Sequence, residues 1–216
     1  CSTRPGAEPV GAEEEWRRLR PALETVRKEF PDVRISVDTY WSDVVRKAYD
    51  AIGDFIVNDI SAGEDDPQML PLVGRLGLTY VAMHKRGTPQ TMQSMTDYED
   101  VTAAVTDYFS DFAERAEQAG VRDWILDPGF GFAKTLEQNY QLMRDLSRFK
   151  ASFPSRKLLV GVSRKSMVYR LLGITPEESL PATQVLHLHA LQNGADILRV
   201  HDVEQAVQTV SLYRML

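Results

Sequence analysis

The feature that most constrains this chain is one unit that recurs along it. A short run of β-forming apolar residues ends in polar residues, and a helical stretch follows. RISVD (34–38) precedes a predicted helix from Ser42 to Ile52, and DFIVND (54–59) precedes PQMLPLVGRLG. LTYVAMH (78–84) leads to the helical stretch 98–119, and DWILDPG (123–129) to 136–149. KLLVGVSRK (157–165) leads to 166–172 and 177–193, and DILRVHD (196–202) to 203–215. The apolar runs are short and nearly continuous, as strands buried on both faces are. The helical stretches carry an apolar stripe, for example Phe109, Phe112, Ala113 and Ala116. Gly53, Gly77, Gly120 and Gly194 stand where a helix gives way to the next strand. A further helix is predicted over 12–30 with no strand ahead of it. The pattern is that of a parallel α/β protein, read as one domain over residues 1–216.

A doubly wound sheet and a (β/α)8 barrel both satisfy that alternation. No Gly fingerprint of a dinucleotide fold follows any strand, and there is no P-loop. The strand ends decide. Asp38, Asn58, His84, Asp127, Ser163-Arg164-Lys165, and Arg199 with His201 each follow directly on a strand. An open sheet has one ligand crevice, whereas every strand of a barrel delivers polar residues to one mouth. The expectation is therefore a (β/α)8 TIM barrel. Six strands are legible, and CSTRPG reads as the loop after another. A barrel of about 250 residues is typical. The 216-residue chain is thus expected to be incomplete at its N-terminus, without the first β/α unit and most of the second strand.

Composition narrows the classes. Apolar residues make up 43% and charged residues 26%, ordinary for a globular protein. The net charge of −6, with no basic stretch interleaved with aromatics, argues against nucleic acid. An anionic substrate would have to be held by local cations. One Cys allows no internal disulfide, so nothing points to an oxidising compartment and a cytoplasmic location is expected. No apolar run approaches the roughly 18 residues of a membrane span. A start on Cys1-Ser2 is also what a processed lipoprotein shows, but Arg4 fits a barrel-mouth loop better.

The strand ends sort by chemistry. Asp38, Asn58 and Asp127 suit a heterocycle with an amidine or guanidine edge, because a carboxylate accepts two parallel N–H bonds and an amide both donates and accepts. Each alone is as readily a helix cap or a satisfied buried polar group. Arg4, Lys165, Arg199 and His201 form a cationic set suited to phosphate or carboxylate. Ser166 opens a helix whose free N–H groups suit an anion. DPGFGFAK (127–134) permits close backbone approach, and Phe130 and Phe132 are candidates to wall an aromatic ligand, although a tight loop with its aromatics packed inward fits the residues equally. His187 and His189 are two apart on a helix, do not share a face, and read as structural. No His or Cys cluster has zinc spacing.

STRPGA (2–7), SVDT (36–39), NDISAG (58–63), MHKRGTP (83–89), DPGFGFAK (127–134), GVSRKS (161–166) and RVHD (199–202) occur in one order across almost the whole chain. Together they resemble the dihydropteroate synthases, folate-pathway enzymes with a (β/α)8 fold that usually form homodimers. The resemblance implies condensation of p-aminobenzoate with 6-hydroxymethyl-7,8-dihydropterin pyrophosphate, assisted by Mg²⁺. It implies that Asp38, Asn58, Met83, Asp127, Lys165 and Arg199 hold the pterin. Thr3, Arg4, Arg199 and His201 would take the pyrophosphate. Thr3, Arg4, Pro5, Phe132, Lys165 and Ser166 would form the p-aminobenzoate pocket, which sulfonamides occupy in the family. Arg4, Lys165 and Arg199 are the expected catalytic residues. No metal ligand is expected within the chain, since the family's Asn for Mg²⁺ belongs upstream of Cys1. Pterin-dependent methyltransferases share the carboxylates and the amide, but need neither STRPGA nor SRKS. A paralogue that binds pterin without turnover is the other alternative.

Overall fold

The computed structural model describes residues 10–87, 91 and 94–216. They gather into two compact units. The first holds the residues up to Met83 together with Ser110–Ile125, and the second holds His84–Phe109 and Leu126–Leu216.

The first unit contains α1 (Ala12–Glu29), β1 (Ser36–Asp38), α2 (Ser42–Ile52), β2 (Ile56–Asp59), α3 (Met69–Leu76) and β3 (Thr79–Met83). It also holds the second half of α4 (Val101–Gln118) and the start of β4 (Trp124–Asp127). The strands lie in the order β1-β2-β3-β4. The β1–β2 and β2–β3 pairs are parallel, and their register sets Asp38 opposite Asn58 and Asp59 opposite Ala82. Val37, Val57, Tyr80 and Ala82 on the strands are buried, as are Val44, Val45 and Ala48 of α2 and Phe112 of α4. The Tyr80 and Phe112 rings stack at 6.0 Å, and Trp124 meets Phe112 edge-on at 5.0 Å. Burying one such aromatic side chain contributes about 1.5–3 kcal/mol. Helix α1, which no strand precedes among the described residues, is tied down by Arg27. Its guanidinium donates to the carbonyls of Ile52 at 3.0 Å and Asp54 at 2.7 Å, just past the end of α2.

The second unit contains the first half of α4 and the end of β4, followed by α5 (Leu136–Arg144), α6 (Leu146–Ser152), β5 (Lys157–Val160) and α7 (Ser166–Leu172). It closes with α8 (Leu180–Gln192), β6 (Ile197–Leu198) and α9 (Val203–Tyr213). The strand order is β4-β5-β6, and β5 and β6 are parallel. Phe109, Phe149 and Phe153 form an aromatic cluster with centroids 5.7, 6.2 and 5.8 Å apart.

The expected parallel α/β pattern is present. Two elements differ from expectation. The helix predicted over 136–149 is interrupted at Asp145, whose backbone sits at φ −88° and ψ 7° and whose carboxylate accepts from Thr102 Oγ1 at 2.9 Å. Strand β6 is only two residues long, although single backbone bonds extend the ladder at each end, from Asp196 N to Leu158 O and from Arg199 N to Val160 O. Among the described residues no helix is long and apolar enough to cross a membrane.

Candidate active site

In the first unit the parallel register places Asp38 and Asn58 side by side at the carboxyl ends of β1 and β2. Asn58 Nδ2 donates to Asp38 Oδ1 at 2.7 Å, which orients both side chains. Asn58 is buried, Asp38 is half-buried, and Met83 is buried at the end of β3. The next residue, Asp59, has a different task. It is fully buried and accepts from Ser61 N, Ser61 Oγ, Gly63 N and the Tyr80 hydroxyl at 2.7, 2.7, 3.0 and 2.6 Å. Burial pushes its carboxyl up, and these donors oppose the shift. Asp59 thus anchors the NDISAG loop. Sequence reading missed this role, because a strand-end Asp looks the same whether it faces a ligand or a loop.

In the second unit Asp127 ends β4, is 6% exposed, and accepts from Gly129 N at 2.9 Å. Burial raises its pKa. Lys165 is the largest opposing influence, followed by the Gly129 N–H and Arg199. Lys165 is lowered to about 8 by burial, against the pull of Asp127. Its ammonium donates to the carbonyl of Phe130 and lies 5.0 Å from the Phe132 ring centroid, in cation–π range. Gly131 has φ +82°, a conformation L side chains rarely adopt, and the Lys165 stem passes 3.5 Å from where a Cβ would stand.

The structure separates the two aromatics of the Gly-rich loop. Phe130 is fully buried, the inward packing that the sequence also allowed, whereas Phe132 is half-buried. Lys134, which sequence reading left without a role, is buried beneath the loop. It donates to Gly129 O at 3.0 Å and Phe132 O at 3.1 Å, with His84 Nδ1 at 3.0 Å. Burial lowers Lys134 to about 7 and His84 to about 2.

The loops after β5 and β6 are laced together. Ser163 Oγ lies 3.2 Å from His201 N and 3.1 Å from His201 Nδ1. Arg164, at φ +52°, forms a two-pronged ion pair with Asp202, its Nε 2.9 Å from Oδ2. Arg199 and His201 are exposed, and Ser166 begins α7. Lys165, Arg199 and Lys134 all favour the ionised form of Asp127, which gives this part of a net acidic chain a local positive field. Thr3, Arg4 and Pro5 lie outside the described residues. His187 and His189 behave as structural groups: the first is fully buried and 3.2 Å from Gln184 Oε1, the second 3.1 Å from the Met143 carbonyl.

Among the described residues no group of three His, Cys, Asp or Glu side chains could hold a metal. Arg199 and His201 are suited to phosphate oxygens and not to a cation, so these residues do not by themselves fit Mg²⁺.

The profile of a family described as pterin binding enzyme matches residues 1–201. A dihydropteroate synthase of Escherichia coli K12 is 42% identical over 211 residues, spanning 97% of this chain and 73% of that protein. The solved structure of Yersinia pestis dihydropteroate synthase with a sulfonamide drug superposes with a TM-score of 0.93 at 36% identity. That match covers 99% of this chain and 77% of the other. The Thermus thermophilus dihydropteroate synthase in complex with 4-aminobenzoate gives a TM-score of 0.91 at 38% identity, covering 100% and 81%.

Proposed function

The chain belongs to the dihydropteroate synthases, transferases of folate biosynthesis among the pterin binding enzymes, and from that premise we propose how its own residues carry the reaction. p-Aminobenzoate is joined to 6-hydroxymethyl-7,8-dihydropterin pyrophosphate. The amine nitrogen forms a bond to the pterin methylene carbon. The bond from that carbon to the pyrophosphate oxygen breaks, pyrophosphate leaves with its electron pair, and the amine gives up a proton to water.

The observation that carries this reading is the buried Asp127 carboxylate flanked by Lys165 and Arg199. Burial raises its pKa and Lys165 and Arg199 oppose the rise, and in its ionised form this carboxylate suits two parallel N–H groups on an aminopterin edge. Asp38 and Asn58 take the neighbouring ring nitrogens, and Met83 packs on the pterin. Lys165 and Arg199 stabilise negative charge on the departing group, with His201, Thr3 and Arg4 on the pyrophosphate oxygens. Positioning and charge supply the rate, and no covalent nucleophile is required. The second substrate stands against Phe132, with Lys165, Ser166, Thr3, Arg4 and Pro5 around it. Sulfonamides compete for the same place.

Mg²⁺ accompanying the pyrophosphate would supply neutralisation of the departing charge, and none of the described residues is assigned to hold it. A (β/α)8 barrel, a cytoplasmic location and a homodimer are part of the same proposal. Apolar residues exposed on α7, α8 and α9 (Leu171, Leu172, Val185, Val207) support association.

Incubation of the full-length protein with both substrates and Mg²⁺ is expected to yield 7,8-dihydropteroate by mass spectrometry. Asp127→Asn, which cannot accept two charge-assisted bonds, is expected to lower kcat/KM by about 100-fold, the loss of roughly 2–3 kcal/mol. Absence of product from folded protein would sink the reading.

A further inference from the structure

The DPGFGFAK loop is wound around two ammonium groups. Gly129, Gly131 and Ala133 have φ of +70°, +82° and +48°. This winding turns successive carbonyls to opposite partners: Phe130 O to Lys165, and Gly129 O and Phe132 O to Lys134. In its protonated form Lys134 has three N–H donors and three acceptors at 3.0–3.1 Å, so no donor is left over in a site where an unmatched one would be costly. For the third bond His84 must offer a lone pair at Nδ1, which puts its ring proton on Nε2. His84 is itself held by a backbone bond from its N–H to Asp127 O at 3.0 Å and by the edge of the Tyr108 ring at 4.9 Å. The far side of the loop is tied separately, by Gly131 N to Asn139 Oδ1 at 2.7 Å.

A hydrophobic side chain would fill this volume without burying a charge. A buried ammonium that spends its donors on loop carbonyls indicates that loop geometry is what it serves. We propose that Lys134 is a positioning residue for the second substrate: its ammonium, braced by His84, holds the carbonyls of Gly129 and Phe132 and so sets where the Phe132 ring stands. The inference rests on the synthase reading, which places p-aminobenzoate against Phe132. Asp127, the first residue of this motif, is also the last of β4, and its carboxylate accepts from the Gly129 N–H, so the pterin end is largely spared.

Steady-state kinetics on the full-length protein test this. Lys134→Met is expected to raise KM for p-aminobenzoate about tenfold, the size of one lost charge-assisted hydrogen bond, with little change in KM for the pterin substrate. His84→Leu should raise the same KM, and His84→Asn, which keeps an acceptor, should restore it. Lys134→Met together with His84→Leu should be no worse than Lys134→Met, because both act through one network. Hydrogen exchange in the peptide 128–135 should accelerate in Lys134→Met and His84→Leu while distant peptides are unchanged. Equal rises in both KM values, an unchanged KM for p-aminobenzoate, or no rescue by Asn would overturn the proposal. If the unsubstituted protein makes no dihydropteroate, the synthase reading fails, and an unchanged loop exchange would separately remove Lys134. If Lys134→Met does not fold, the His84 pair decides alone.

Discussion

At the scale of residues, burial separates groups that look equivalent along the chain. Asp38, Asn58 and Asp127 are legible as candidates because each stands at the carboxyl end of a strand, and Lys165 because it sits in a recognisable motif in the loop after β5. Asp59 is adjacent to Asn58 and equally polar, yet four donors hold it inside the fold. Lys134 and Lys165 are both lysines near one Gly-rich loop, and only their depth and partners divide their tasks. Lys165 leads to a pH prediction. Its pKa is lowered from 10.5 to about 8, so it is charged below that value and neutral above it. kcat/KM for the pterin substrate is expected to fall as pH rises through about 8, and Lys165→Arg, which keeps its proton, is expected to remove that limb even at a lower plateau. Stability has the opposite sign. Between about 8 and 10.5 the unfolded chain binds more protons at this residue than the folded one. Its contribution to stability is therefore fully present above 10.5 and is lost as pH falls towards 8. Chemical denaturation across that window measures it.

At the scale of elements, periodicity located the helices and strands well, because alternating burial leaves a pattern in local sequence. It failed where a tertiary partner intervened. Asp145 interrupts a continuous helical pattern where its carboxylate is taken by Thr102, 43 residues away. Gly74 shows the reverse case. It lies inside α3, where a glycine is a poor helix former, and nothing nearby in sequence calls for it. A Cβ there would stand 2.0 Å from the Ala119 carbonyl oxygen at the end of α4. Helix propensity alone predicts that Gly74→Ala stabilises the protein. The close approach predicts that it destabilises by about 1–3 kcal/mol, read as a lower midpoint in urea at an unchanged slope.

At the scale of the whole molecule, a chain of net charge −6 is proposed to bind two anionic substrates. This works only if cations are concentrated locally. Lys165 and Arg199 beside Asp127 are such a concentration, brought together from separate stretches of sequence. Association is the other question at this scale. Light scattering is expected to give twice the single-chain mass. Val185→Glu with Val207→Glu, on the exposed faces of α8 and α9, should return it towards the monomer. A monomer before substitution would refute the dimer.

The sequence by itself determined the alternation of strands and helices, the order of the motifs, and the residue types delivered to each strand end. These are local properties, and the chain spells them out within windows of a few residues. Tertiary structure alone decided which of two neighbouring carboxylates is buried, which of two phenylalanines stays half-exposed, and which lysine holds the loop. Those outcomes depend on desolvation and on hydrogen-bond partners distant in sequence, such as His84 with Lys134 and Ser163 with His201. Neither the depth nor the partner of a polar group is written in the residues beside it.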